Sequence, residues 1–431
     1  NQGINQITIE VLSGKVVFGD IVFKTPKQLP TYETYVSNFS AGNNSGTIMV
    51  GAEDLAAKTN PSIRLDSERD PSATAYDTKY LRLNSLDGYS YRSGNDQIIY
   101  EMEVEQSGFY NLAFKYKQNY VLDMPVFREI TVNGEIPFEE FRMYPFAYTN
   151  EYENLILNNG EENLQVYLEA GTNEIGLRVV VEPYRNSYQN VVGIMDEITD
   201  LSLEIKKLTG NTVDRYRTWK LVDFIPDIED RMDRWIVDLY EINEDLKTYT
   251  NDKKQGQLTN LVIGIEQLED LRADVDDIPN KMVMLADGDS STSQLLGTVV
   301  QTFIENGLDF ERIYLTTGED LPRPEANIFV RTVESTKRFF LSFTDNDYAV
   351  SDVDEGVIEV WVNHPRQYIE IMQTIIDNDF TSKTGIEVKL SIMPDENKLI
   401  LANSANIAPD VALGVNHWIP YEFAIRGASL D

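Results

Sequence analysis

From the start of the chain to about Glu204, apolar positions alternate with polar ones between turn signals: Ile7, Ile9 and Val11, then Val16, Phe18, Ile21 and Phe23, later the runs YNLAFKYKQ and VYLEAGTNEIGLRVVV. A period of two marks strands with one buried face. Ser107-Gly108, Asn133-Gly134 and Gly171-Thr172-Asn173 fall between such runs, and Gly and Asn accept the positive φ of tight turns at little cost. The pattern predicts an all-β sandwich or jelly roll over residues 1–205.

Between 206 and 350 the period lengthens. Ile228, Met232, Trp235 and Leu239 are spaced for one helix face, as are Leu258, Leu261, Ile265, Leu268 and Leu271. The run STSQLLGTVVQTFIENG predicts a third helix with Ser293 as N-cap and Gly307 as stop, and a fourth is expected from Ala326 to Phe343. Antiparallel packing of these helices into a central α-helical bundle is the economical arrangement, with Trp219, Trp235 and the Phe339-Phe340 pair in its core.

Over 351–431 the two periods take turns. VIEVWV reads as a strand, Tyr368, Met372, Ile375, Ile376 and Phe380 mark one helix face, and IEVKLSI turns Ile386, Val388, Leu390 and Ile392 inward. A short helix near Asp395 and the strand DVALGV complete a βαβαβ run. Right-handed crossovers then place all strand ends on one edge of a parallel sheet. The chain is therefore expected to be multidomain: sandwich, bundle, then a partial α/β lobe.

Composition narrows the function. At 42% apolar residues the chain can fill real cores, while 71 acidic against 37 basic residues give a charge of −34. Nucleic acid is a poor partner for such a surface, because binding phosphates requires clustered Lys and Arg. With no cysteine, thiol nucleophiles, disulfides and thiolate metal sites are excluded. No apolar run approaches the ~20 residues of a membrane span, and Asn1 is followed by no signal pattern; the expectation is a cytosolic protein or one whose leader has been removed.

In an open parallel sheet, ligands bind beyond the carboxyl ends of the strands. Three loops reach that edge: Asn363, His364, Pro365 and Arg366; Pro394, Asp395, Glu396 and Asn397; Asn416, His417 and Trp418. Amide, carboxylate and imidazole groups supply the directional donors and acceptors a hydroxyl-rich ligand needs, and an indole offers an apolar face to a sugar ring. The candidate ligand-binding residues are Asn363, His364, Arg366, Glu396, Asn397, Asn416, His417 and Trp418. The chain's two histidines, His364 and His417, both fall here, but without HxxxH spacing or a cysteine they suit hydrogen bonding better than metal ligation.

Two resemblances add to this. The string VWVNHPRQYIEIMQTIIDNDFTSKTGIEVKLSIMPDENKLILANSANIAPDVALG, with its Lys383-Thr384-Gly385-Ile386 turn and Pro409-Asp410-Val411 strand entry, resembles the opening of family 1 extracellular solute-binding proteins. The resemblance implies the first part of a periplasmic-binding-protein-like lobe. It also implies capture of an oligosaccharide for an ABC importer, delivery to a membrane permease, and an extracellular, cell-surface location through a lipid anchor. The family's ligand is held between two lobes, so the parent protein is expected to be longer. The strings SGFYNLAFKY, REITVNGEIPFEE and VYLEAGTNEIGL resemble the galactose-binding-like sandwich of carbohydrate-binding modules. That resemblance implies either a folding role for these strings or a second sugar site, for which Tyr89, Tyr91, Asn186 and Tyr188 are candidates by type and position. No cofactor is expected beyond a structural Ca²⁺ of the kind such modules carry, with Glu33 and Asp196 as oxygen donors.

Two other functions compete with importer binding. A surface adhesion protein would use the sandwich alone. A glycan-degrading enzyme would need paired carboxylates at ~5 to ~9 Å, and neither GxSxG nor GxxxxGK[ST] is present. The chain is read as non-enzymatic.

Overall fold

The computed structural model describes residues 28–428 except 41, 43, 79–81, 211–216, 218, 250–255, 257, 319, 342–355, 394 and 406. The alternations expected at 7–11 and 16–23, and Pro394, lie outside the described residues.

Two antiparallel sheets form a sandwich. One has five strands in the order Ala57–Lys58, Gln97–Val104, Gly171–Val180, Val126–Val132, Tyr144–Phe146. The period of two is literal in Gln97–Val104, where Ile98, Tyr100, Met102 and Val104 are buried and Glu101 and Glu103 are exposed. The other sheet has seven strands built around Gly108–Lys117 and Asp309–Thr316. Phe114, Phe146 and Phe310 pack ring against ring between the sheets, with centroids 5.5 to 5.8 Å apart. Asn133 and Gly134 form the expected tight turn, with φ of 51° and 80°. The Asn133 side chain accepts the Glu174 N–H at 2.8 Å and donates to Asn173 Oδ1 at 3.1 Å. These turn residues therefore lock one strand corner to the next.

The strand Asp309–Thr316 was not legible in the sequence, where its residues fall inside the helical stretch. It pairs with Gly108–Lys117 and Thr47–Gly51, and all eight of its residues are buried. The chain thus leaves the sandwich, builds the bundle and returns to complete the sheet.

Four helices form that bundle: Arg185–Thr209, Ile228–Lys247, Thr259–Ala273 and Thr292–Ile304. The first begins about twenty residues before the expected start at 206 and buries Val191, Ile194, Ile198, Leu201 and Ile205 at helical spacing. Ile228, Met232, Trp235 and Leu239 are buried as the spacing predicts, and so are Leu261, Ile265, Leu268 and Leu271. The cap of the fourth helix is Ser291, whose Oγ accepts from Gln294 N, and not Ser293. Gly307 has a reason other than helix ending: a Cβ there would lie 2.6 Å from the Tyr120 ring.

The last expected bundle helix, Ile328–Leu341, lies elsewhere, against the loop 69–78. Its polar side chains face inward: Glu334 accepts from Tyr76 and Thr78, Arg338 donates to the Arg69 carbonyl, and Arg331 pairs with Asp70 at 3.3 Å. Ile328, Phe329 and Phe339 are left exposed, Phe339 at 60%, so it is not a bundle-core residue. The Phe340 side chain lies outside the described residues.

At the C-terminal end, Ile358–Val362 is the middle of a three-stranded parallel sheet between Val388–Ile392 and Val411–Leu413. One face packs Trp361, Met393, Leu399, Ala402 and Ile419, the other Val360, Val362, Ile369 and Leu390. Ile386 precedes the strand and is 42% exposed, contrary to its expected inward position.

Candidate functional site

The carboxyl edge of the parallel sheet gathers three loops, and backbone bonds set their spacing: Met393 N donates to Val362 O and Asn363 N to Leu413 O, both at 2.9 Å. Gly414 sits at φ +72°, where a Cβ would come within 3.0 Å of Asn363 O and His364 Nε2. Only glycine lets the first and third loops approach this closely.

Glu396 ties the loops together. Its Oε1 accepts from Asn363 Nδ2 at 3.3 Å and from Asn416 N at 2.8 Å, and its Oε2 accepts from Asn416 Nδ2 at 2.7 Å. The carboxylate accepts from protein donors and so orients the two asparagines through their N–H groups. Asn363 also donates to Gly414 O at 3.2 Å. Asn397 is drawn to Asp395, the cap of helix Glu396–Ser404, donating from N at 2.8 Å and Nδ2 at 3.0 Å.

The other candidates are less closely joined. His364 lies 5.4 Å from the Tyr368 ring, a neighbour the sequence analysis assigned only to a helix face. Partial burial, and then the Arg64 charge, lower the His364 pKa, which favours neutral imidazole, at once donor and acceptor. Arg366 is buried. His417 and Trp418 are exposed, the indole at 45%, where Trp418 leads into helix Ile419–Ile425.

The sandwich candidates separate. Tyr91 is fully buried; its hydroxyl donates to Leu177 O at 2.7 Å, its ring lies 4.7 Å from the Arg128 guanidinium, and burial pushes its pKa up. It is a core residue and no platform for a ligand. Tyr89 is 56% exposed beneath the Arg92 guanidinium at 4.0 Å. Asn186 and Tyr188 stand on the opening turn of helix Arg185–Thr209 instead of in a loop. Of the residues expected to hold calcium, Glu33 is on helix Tyr32–Ser37 and Asp196 is on the first bundle helix. Among the described residues no group of three or more His, Cys, Asp or Glu side chains could hold a metal ion.

Sequence reasoning missed a buried charge cluster on the seven-stranded sheet. Lys115 and Glu311 form an ion pair with 2% and 0% of their side chains exposed. Arg312 adds a contact to Glu311 at 3.2 Å, and Ser72 Oγ accepts from Lys115 at 3.1 Å. Burial pushes Glu311 up and Lys115 down, each opposed by the partner's charge. The cluster is closed off from solvent.

Comparison with known proteins touches two parts of the chain. Residues 186–303 match the family described as bacterial solute-binding protein, 4-helix bundle domain. Solved structures similar to part of the chain include a GH26-CBM35 β-(1,4)-mannanase from Podospora anserina, at 16% identity and TM-score 0.22 over 32% of this chain and 25% of that one. A family 35 carbohydrate-binding module from Clostridium thermocellum is 19% identical, TM-score 0.23, over 32% of this chain and 88% of the module. The C-terminal CBM6 of a laminarinase from Zobellia galactanivorans is 13% identical, TM-score 0.18, over 31% of this chain and 88% of that one. No curated protein matches the chain.

Proposed function

We propose that this chain is the solute-capturing component of a bacterial ABC importer and that it binds an oligosaccharide without chemical change. The observation that carries the reading is the match of the bundle, residues 186–303, to a solute-binding protein domain. The βαβαβ string and the parallel sheet at the C-terminal end support it.

In this reading the ligand lies along the sheet edge. Asn363 and Asn416, held by Glu396, present amide oxygens; His364, Arg366, Asn397 and His417 add donors and acceptors; Trp418 offers its indole to the C–H face of a sugar ring. The partner is a membrane permease and the location is extracytoplasmic, at the cell surface through a lipid anchor. The sandwich, the bundle and the lobe from 351 onward are taken as separate functional units.

Calorimetric titration with a panel of oligosaccharides tests this. The expected result is micromolar binding, roughly −8 kcal/mol, weakened at least tenfold by Asn416→Ala and by Trp418→Ala. Binding that survives both changes but is lost in Tyr89→Ala would move the receptor to the sandwich. Absence of binding across the panel by the full-length parent protein would overturn the carbohydrate assignment.

A further inference from the structure

A cleft of about 640 Å³ opens where the sandwich meets the bundle, between the loop Arg92–Gly94, the start of the first bundle helix and the end of the fourth. Its floor is apolar: Tyr184 and Phe303, each 2% exposed, are stacked at 5.7 Å and 28°. Tyr188, 36% exposed, and Ile304, 55% exposed, stand among its lining residues.

The charges around this cleft are unevenly used. Both carboxylates in its lining have protein donors: Glu182 accepts from Val181 N at 3.2 Å, and Glu305 from Gln301 Nε2 at 3.2 Å. The two guanidiniums do not have matching acceptors. Arg185 has no side-chain partner among the described residues, and the Arg92 guanidinium lies over the face of Tyr89 at 4.0 Å, which leaves its N–H edge unspent. Glu182 and Glu305 keep their charge in the same lining, but neither is bonded to Arg92 or Arg185, so the guanidinium N–H groups beside this apolar cleft offer a place for a carboxylate from outside. A guanidinium fork fits a carboxylate bidentately, and a flat ring gains from aromatic walls.

We propose that this cleft is a second binding site, separate from the sheet edge, for a small aryl carboxylate. The ring lies against Tyr188 and Ile304 over the Phe303 floor, and the carboxylate meets Arg185 and Arg92. The site stands apart from the carbohydrate reading, because a neutral saccharide brings no charge for the two guanidiniums to meet.

The test is calorimetric titration of the chain with 2-naphthoate, beside neutral 2-naphthol as the isostere without charge. Saturable submillimolar binding of naphthoate is expected, with naphthol at least tenfold weaker. Arg185→Ala and Arg92→Ala should each weaken naphthoate about tenfold, Arg185→Lys should restore little, and Ile304→Glu, at an exposed position, should abolish binding with the melting temperature unchanged. Equal affinity for naphthol, indifference to both arginine changes, or no saturable binding would each overturn the proposal.

Discussion

Lys115 and Glu311 show how much a single pair can decide. Each sits almost wholly out of water, where removing one partner leaves a buried charge uncompensated at about 3–5 kcal/mol. Glu311→Gln is expected to lower unfolding stability by that order in urea titrations, whereas Lys115→Met with Glu311→Leu should recover most of the loss. Asp70 works with pH. Burial alone would raise its pKa, but the Ser72 hydroxyl, the Ala326 and Ser72 N–H groups and Arg331 outweigh burial and hold the carboxyl below its ordinary value. A carboxylate lowered in the folded state contributes stability that is full above the ordinary range and lost as pH falls through the lowered value. Hydrogen exchange in 321–341 should therefore rise on acidification, and Asp70→Asn should raise it already at neutral pH and shrink the acid increment. At this scale the sequence was informative by residue type: Asn363, Glu396 and Asn416 do meet. Tyr91 shows the limit, since an aromatic beside turn residues looks the same in sequence whether its ring faces solvent or lies against Arg128.

At the scale of elements, spacing is a good guide where one face is apolar and a poor one where both faces are buried. Ile228–Lys247 was legible because its apolar stripe points at its neighbours. Trp235 is its anchor, fully buried with Nε1 donating to Glu197 at 2.7 Å. Trp235→Ala should cost about 3–5 kcal/mol, visible as a lowered helical melting temperature, and Trp235→Phe about 1 kcal/mol for the lost hydrogen bond. The strand Asp309–Thr316 was hidden because Asp309, Glu311 and Arg312 read as solvent-facing, although ion pairs let them be buried. Helix Ile328–Leu341 was misplaced for the converse reason: its polar side bonds to the loop 69–78, while Ile328, Phe329 and Phe339 stay exposed. Periodicity reports which residues share a face, but not which face is covered.

At the scale of the molecule, the sandwich and bundle share one continuous apolar cluster, while the C-terminal sheet has two small clusters of its own. Calorimetry should therefore show two transitions, a large one for sandwich and bundle together and a small one for the C-terminal lobe; Glu311→Gln should shift the large transition and leave the small one in place. The return of Asp309–Thr316 to the sheet also orders events in time. During synthesis Gly108–Lys117 waits with an unpaired edge until the whole bundle has been made, so the local helical contacts have to form first and the sandwich closes last. A protease cut between two bundle helices would then release nothing, because the two pieces remain paired strand to strand, and they could be separated and recombined as complementing halves of one fold.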